Sequence, residues 1–293
     1  MRTFLVATDF SEHADRALAH ACALARILSA RIELFSSAYI PPYLVAAVAT
    51  GMSPNWLQEA RDQASQQLEA VAARLAAEGV AVTTSSSTEE PATAICARSD
   101  EIAADLVATG TRGRTGVAHA VFGSVAERVA RCAHSPVLTA HADSPAPGLY
   151  RRVLVPSDFS PDADLALAWA RLLVEKTGGT LIVQHSCEIP PLLSGSAELT
   201  RAAIEKALES SAREKLERIR SSIAGCAVET IVASGRADTA ILEAAQTARA
   251  ELIVMGTRGR TGLAHVLMGS TAERVLRRSQ LPVVTLKTRP DPA

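Results

Sequence analysis

A chain of 293 residues is longer than one average domain and favours two, each able to bury its own core. Hydrophobic residues make up 48% and charged residues 21%, which excludes an extensively disordered chain. A formal net charge of −1 and only 3% aromatic residues speak against a nucleic-acid partner, which calls for positive charge and stacking rings.

The first residues, MRTFLVATDFSEHADR, reach Asp9, Glu12 and Asp15 before a signal-peptide apolar stretch can form, and no later run approaches membrane-spanning length. A cytoplasmic protein without a membrane partner is expected. Phe4–Ala7 reads as a buried strand ending at Thr8-Asp9, and Ser11 as the cap of the helix that follows. Leu57, Ala60, Ala64, Leu68, Val71 and Leu75 recur at helical spacing, so one face of that helix is expected in the core. Leu106–Ala108 is a second buried strand, leading into a glycine-rich loop and helix, and Val137–Ala140 is the last strand of this set. The segment 141–150, HADSPAPGLY, breaks both patterns. The series then repeats: strand Val153–Val155, a helix opened by Ser160-Pro161, a helical stripe of Ile204, Leu208, Ala212, Leu216, Ile219 and Ile223, strand Leu252–Met255, a glycine-rich loop, and a last strand at Val283–Lys287. Cys22, Cys96, Cys132, Cys187 and Cys226 are odd in number, with no C-x-x-C pair, and read as reduced core thiols.

The repetition is literal. GTRGRTGVAHAVFGSVAERV from Gly110 matches GTRGRTGLAHVLMGSTAERV from Gly256, an offset of 256 − 110 = 146, and VATDFS ending at Ser11 matches VPSDFS ending at Ser160, an offset of 160 − 11 = 149. The organisation expected is one domain over 1–143, a linker over 144–150 and a second domain over 151–288. Alternating strands and helices make each an α/β unit with a doubly wound, Rossmann-like sheet of five parallel strands in the order 3-2-1-4-5. The loops after strands 1 and 4 then open into one crevice, where such sheets bind ligands.

Each glycine-rich loop has the spacing G-x-x-G-x9-G-S: Gly110, Gly113 and Gly123-Ser124, then Gly256, Gly259 and Gly269-Ser270. Glycine permits positive φ and close approach to a ligand, and a helix opening at Ser124 or Ser270 offers free amides and its positive dipole end to a phosphate. Arg112, Arg114, Arg258 and Arg260 are candidates for charge-assisted bonds to phosphate oxygens. His119 and His265 recur in the loops and read as surface histidines, and His185, at a strand end, as a structural polar contact. There is no G-x-x-x-x-G-K-[ST] loop and no strand followed by G-x-G-x-x-G, which argues against a P-loop enzyme or a dinucleotide dehydrogenase.

These loops, the strand-end aspartates and the element order resemble the universal stress protein family in its tandem form, whose ATP-binding members carry G-x-x-G-x9-G-[ST]. The resemblance implies an adenosine contact at Asp9 and Asp158 and a triphosphate on Gly113 and Gly123-Ser124, or on Gly259 and Gly269-Ser270. The cofactor-binding set is then Ala7, Thr8, Asp9, Thr109, Gly110, Arg112, Gly113, Gly123, Ser124 and Val125 in the first repeat. In the second it is Pro156, Ser157, Asp158, Met255, Gly256, Arg258, Gly259, Gly269, Ser270 and Thr271. The family's proline before the aspartate is present at Pro156 and replaced by Ala7 in the first repeat. The expected cofactor is ATP, with Mg²⁺ as its accompanying ion, and the expected role nucleotide-dependent regulation in a stress response. No catalytic residue is assigned. A slow ATPase or phosphoryl-transfer enzyme, and an interaction scaffold with vestigial nucleotide sites, remain open. The last strands are expected to pair within one chain, with homodimerisation of the whole chain left open.

Overall fold

The computed structural model describes residues 1–39, 55–113, 122–189, 198–259 and 268–288. The chain divides into two compact units, Met1–Ala146 and Pro147–Ala293. In the first the order is β1 (Arg2–Ala7), α1 (Glu12–Leu28), β2 (Ala30–Ser37), α2 (Asn55–Ala77), β3 (Val82–Ser87), α3 (Pro91–Glu101), β4 (Leu106–Gly110), α4 (Ser124–Cys132) and β5 (Val137–Ala140). In the second it is β6 (Arg152–Pro156), α5 (Pro161–Thr177), β7 (Thr180–Cys187), α6 (Glu198–Ser222), β8 (Ala227–Ser234), α7 (Ala237–Thr247), β9 (Leu252–Gly256), α8 (Ser270–Arg278) and β10 (Val283–Leu286).

Within the first unit the strands run parallel in the order β3-β2-β1-β4-β5, and within the second in the order β8-β7-β6-β9-β10. Both are the doubly wound order 3-2-1-4-5 anticipated from the sequence. The central strands are apolar without alternation because helices cover both faces, and Leu5, Val6, Leu106, Val107, Leu154, Val155, Ile253 and Val254 are fully buried.

The helices start where the sequence marks them. Ser11 and Ser160 accept from the backbone N–H of Ala14 and Ala163, each at 3.3 Å, and Pro161 takes the first turn of α5. In α2, Leu68 and Leu75 are buried, Ala64 and Val71 half-buried, and the side chains of Leu57 and Ala60 lie outside the described residues. In α6, Ala212 and Leu216 are buried, but Leu208 is 37% exposed. Leu208 therefore departs from the expected core stripe. The reason is local: α6 packs against β7 and β8, and no residue of β8 is fully buried, so only part of the apolar face of α6 is covered.

The thiols are free, but not all are core: Cys22 and Cys187 are buried, Cys96 and Cys226 half-buried, and Cys132 is exposed in the last turn of α4. Burial pushes the Cys22 thiol up to about 11, which keeps it an inert packing group. No helix among the described residues is long and apolar enough to cross a membrane. Tyr150, in the segment read from sequence as a linker, is 1% exposed and its carbonyl accepts from Thr177 Oγ1 at 3.4 Å.

Candidate functional site

In each unit the first strand pairs on one side with the second and on the other with the fourth, so the loops after strands 1 and 4 diverge over one crevice. The loop after β1 is a compact side-chain-locked turn. Thr8 Oγ1 accepts from Phe10 N at 3.0 Å and Asp9 Oδ1 accepts from Ser11 N at 3.1 Å. In the second unit Ser157 Oγ accepts from Phe159 N and Asp158 Oδ1 from Ser160 N, each at 3.1 Å. Both Phe10 and Phe159 have φ of 62°, a left-handed conformation that bulky residues rarely adopt. The two side-chain bonds hold that conformation and fix the direction of the intervening aspartate.

The other carboxylate oxygen faces the glycine loop. A Cβ on Gly113 would come within 2.8 Å of Asp9 Oδ2, and one on Gly259 within 2.8 Å of Asp158 Oδ2. Gly110 and Gly256 lie against the starts of α1 and α5, where a Cβ would meet Ala14 N at 2.6 Å and Asp162 Cβ at 2.7 Å. Gly123 N and Gly269 N donate to Thr111 O and Thr257 O at 2.7 Å, and a Cβ there would meet the same carbonyls at 2.8 and 3.1 Å. The expectation that these glycines supply positive φ is therefore corrected. Among the described residues the positive-φ glycines are Gly79, Gly178, Gly225 and Gly235, and the loop glycines are required by close approach.

α4 and α8 begin at Gly123 and Gly269 with no side-chain cap, unlike α1 and α5 with their serines. Their first amides are thus left to water or to an anion. Thr109, Gly110, Arg112, Gly113, Gly123, Ser124 and Val125 join Ala7, Thr8 and Asp9 around a cavity of about 660 Å³. Pro156, Ser157, Asp158, Met255, Gly256, Arg258, Gly259, Gly269, Ser270 and Thr271 line one of about 220 Å³ in the second unit. All the site residues expected from the sequence are so brought together, while Arg114, Arg260, His119 and His265 lie outside the described residues.

The cavity walls also include residues that loop spacing did not point to: Phe35, Ser37, Tyr39, Pro91 and Ile95 in the first unit, and Gln184, Ser186, Ala237 and Ile241 in the second. A signal for two of these existed, since T-A-I at Thr93–Ile95 recurs as Thr239–Ile241 at the same offset as the glycine loops. His185 also lines the second cavity, and its Nδ1 donates to the Ser157 carbonyl at 2.6 Å while its ring stacks on Phe159 at 4.5 Å. A carbonyl only accepts, so the proton of that pair is on Nδ1. His185 braces the aspartate turn from behind.

The two arginines differ. Arg112 is half-buried, and its Nε has no hydrogen-bond partner among the described residues. Arg258 turns its Nη2 to the carbonyl and hydroxyl of Thr288, and its Nε lies 3.5 Å from Asp162 Oδ2, close but without hydrogen-bond alignment. In the first unit the position of Asp162 is held by His13, whose Nδ1 accepts from Ala142 N at 3.0 Å. Burial, then the adjacent Arg112 charge, lowers the affinity of His13 for a proton.

Known proteins share this architecture. The chain is 29% identical over 141 residues to a universal stress protein of Methanocaldococcus jannaschii, covering 47% of this chain and 83% of that one. It is 30% identical over 187 residues to one of Mycobacterium tuberculosis, a match spanning 63% of this chain and 62% of that protein's length. Among solved structures, a universal stress protein from Archaeoglobus fulgidus superposes with a TM-score of 0.74 at 27% identity, over 97% of this chain and 98% of that one. The profile of the universal stress protein family matches twice, at residues 1–141 and 149–287, and with nearly all of its length accounted for the chain belongs to the universal stress protein family.

Proposed function

We propose that this chain is a nucleotide-binding regulatory protein that holds ATP on the glycine loop of each repeat. The observation that carries the reading is the pairing, twice in one chain, of an uncapped helix start with a fixed carboxylate across the same crevice. The amides at Ser124 and Ser270 suit phosphate oxygens. A carboxylate is an acceptor only, so Asp9 and Asp158 suit the hydroxyl groups of the sugar, which lies next to the phosphates in ATP, better than the phosphates themselves.

In this reading Gly113, Gly123 and Ser124, with Gly259, Gly269 and Ser270, hold the phosphates, and the apolar wall of Phe35, Pro91 and Ile95 takes the base in the first unit. Bound ATP would bridge the two segments, its phosphates on the amides of the glycine loop and its sugar on the aspartate of the strand-1 turn, so that occupancy couples them. Mg²⁺ would enter on the phosphates, since no group of three or more His, Cys, Asp or Glu among the described residues is arranged to hold a metal. Asp9 and Asp158 are the only acids among the described lining residues, and each is already tied to its turn, which favours binding over phosphoryl-transfer catalysis. The test is calorimetry on protein stripped of copurified ligand. Binding of ATP in preference to GTP is the expected result, and no binding of either at millimolar concentration overturns the reading.

A further inference from the structure

The two glycine loops have the same motif residues, but the groups behind them differ. Residue 13 and residue 162 hold equivalent places in the second turn position after the serine cap, 162 − 13 = 149, and Ala142 and Thr288 are likewise equivalent, 288 − 142 = 146. In each unit the backbone N–H after the last strand donates to this position: Ala142 N to His13 Nδ1 at 3.0 Å, and Thr288 N to Asp162 Oδ1 at 2.8 Å. The acceptor is a neutral ring in the first unit, because an imidazole nitrogen that accepts carries no proton. In the second it is a carboxylate only 4% exposed.

That exchange changes the phosphate loop. Asp162 Oδ2 accepts from the backbone N–H of Arg258 at 3.0 Å, its Oδ1 accepts from Thr288 Oγ1 at 2.9 Å, and the guanidinium of Arg258 is drawn to Thr288 and Asp162. Arg112 and Arg258 both line their cavities and both have a buried Nε without a hydrogen bond among the described residues, but among those residues Arg112 has no carboxylate partner of the kind Asp162 gives Arg258. The cation beside the first loop is available to an anion, whereas the cation beside the second is compensated by a buried negative charge.

Resting on the reading of both loops as nucleotide sites, we propose that the two sites read phosphate charge differently. The first, through Arg112, discriminates strongly for the triphosphate over the monophosphate, and the second, through Asp162 and its capture of Arg258, discriminates weakly and binds ATP less tightly. Residues 13 and 162 are the specificity-determining positions. The cavity volumes agree in direction, about 660 Å³ in the first site against about 220 Å³ in the second.

The experiment is calorimetric titration of the full chain, separately with ATP and with AMP, for wild type, Arg112→Gln, His13→Asp and Asp162→His, each first checked by a ligand-free thermal melt. Wild type is expected to show two classes of ATP site at least tenfold apart. Arg112→Gln and His13→Asp should weaken the tight ATP class tenfold or more while changing AMP affinity less than threefold. Asp162→His should tighten the weak ATP class and raise its preference for ATP over AMP. Arg112→Gln is the variant that keeps the test secure, since it removes no hydrogen bond to the Nε of that residue and is the least prone to unfold. Two equal ATP classes in wild type, or a loss of ATP and AMP affinity in equal measure in Arg112→Gln, overturns the division of the sites while leaving both as nucleotide sites. Absence of any nucleotide binding overturns the underlying reading as well.

Discussion

Gly123→Ala and Gly269→Ala are the same change at the same motif position, yet the structure gives them different consequences. A Cβ at Gly123 would meet the Thr111 carbonyl oxygen at 2.8 Å, and that carbonyl is fixed by accepting from Gly123 N at 2.7 Å. Ordinary contact requires a shift of roughly half an ångström in backbone that shapes the glycine loop, and overpacking of this kind costs about 1–3 kcal/mol. At Gly269 the distance is 3.1 Å, which a few tenths of an ångström relieves, and a cost under about 1 kcal/mol is expected. Both glycines are helix N-caps, so the loss of a favourable cap residue is common to both variants and cancels in the comparison. Thermal melts without ligand should place the Gly123→Ala transition of the first unit several degrees below that of Gly269→Ala, at about 2–4 °C per kcal/mol for a unit of this size. With ATP at a hundredfold excess over Kd, a functional site adds about 2.7 kcal/mol, and Gly123→Ala should forfeit the first unit's share. Equal stability and an equal ATP response in the two variants would refute the steric account of these glycines. Valine at Gly123 should cost at least as much as alanine, because its larger side chain enters the same Thr111 contact.

Three further outcomes are expected. His20 is buried, and that burial, with Arg16 nearby, lowers its pKa to about 4 from 6.5, so the unfolded chain binds the proton more readily; the stability this contributes is complete above about pH 6.5 and is lost as pH falls toward 4, about 3 kcal/mol in all, and His20→Phe should flatten that segment of a denaturant-midpoint profile. Asp238 is 2% exposed and within ion-pair distance of Arg236, Arg274 and Arg278, so Asp238→Ala should destabilise the second unit by about 2 kcal/mol in urea unfolding, leaving three arginines in mutual repulsion, and salt should recover part of the loss. Asp9→Ala should weaken ATP and adenosine binding alike, by roughly tenfold or more, because the carboxylate is read here as a sugar contact; a loss confined to ATP in a competition assay would place it instead at the phosphates.

The parts of the fold that follow from local rules were legible in the sequence. Short unbroken apolar runs such as Leu106–Ala108, set between longer helical periods, fit strands covered on both faces, and Ser-Pro at 160–161 fits a helix start, so element order and sheet order came out together. The loop residues of the site were legible because the chain writes them twice. The remaining wall was not, because Phe35, Tyr39 and Pro91 reach the cavity only through the crossing of separate strands and helices, a property of packing that no local spacing encodes. Leu208 and Cys132 show the converse limit: an apolar period and a small thiol mark what could be buried, while burial itself depends on whether another element arrives to cover them. The reason for the motif glycines was hidden for the same cause, since Asp9 lies 104 positions before Gly113, 113 − 9 = 104, and only the folded sheet puts the carboxylate where a Cβ would go.

That contact also accounts for the strained turns. A phenylalanine at φ of 62° costs on the order of 1–3 kcal/mol relative to an unstrained residue, and the chain incurs it at both Phe10 and Phe159. Relaxing either turn would release the Thr8 or Ser157 bond, free the aspartate to rotate, and open the gap at Gly113 or Gly259. Strain in the strand-1 loop and close packing in the strand-4 loop are therefore two sides of one constraint, which holds an acceptor and a set of uncapped amides at fixed separation before any ligand arrives. If the crevice binds a nucleotide as proposed, a site assembled this way loses little ordering entropy on binding, and its selectivity would fall to the groups behind the loop, where His13 and Asp162 make the two repeats differ.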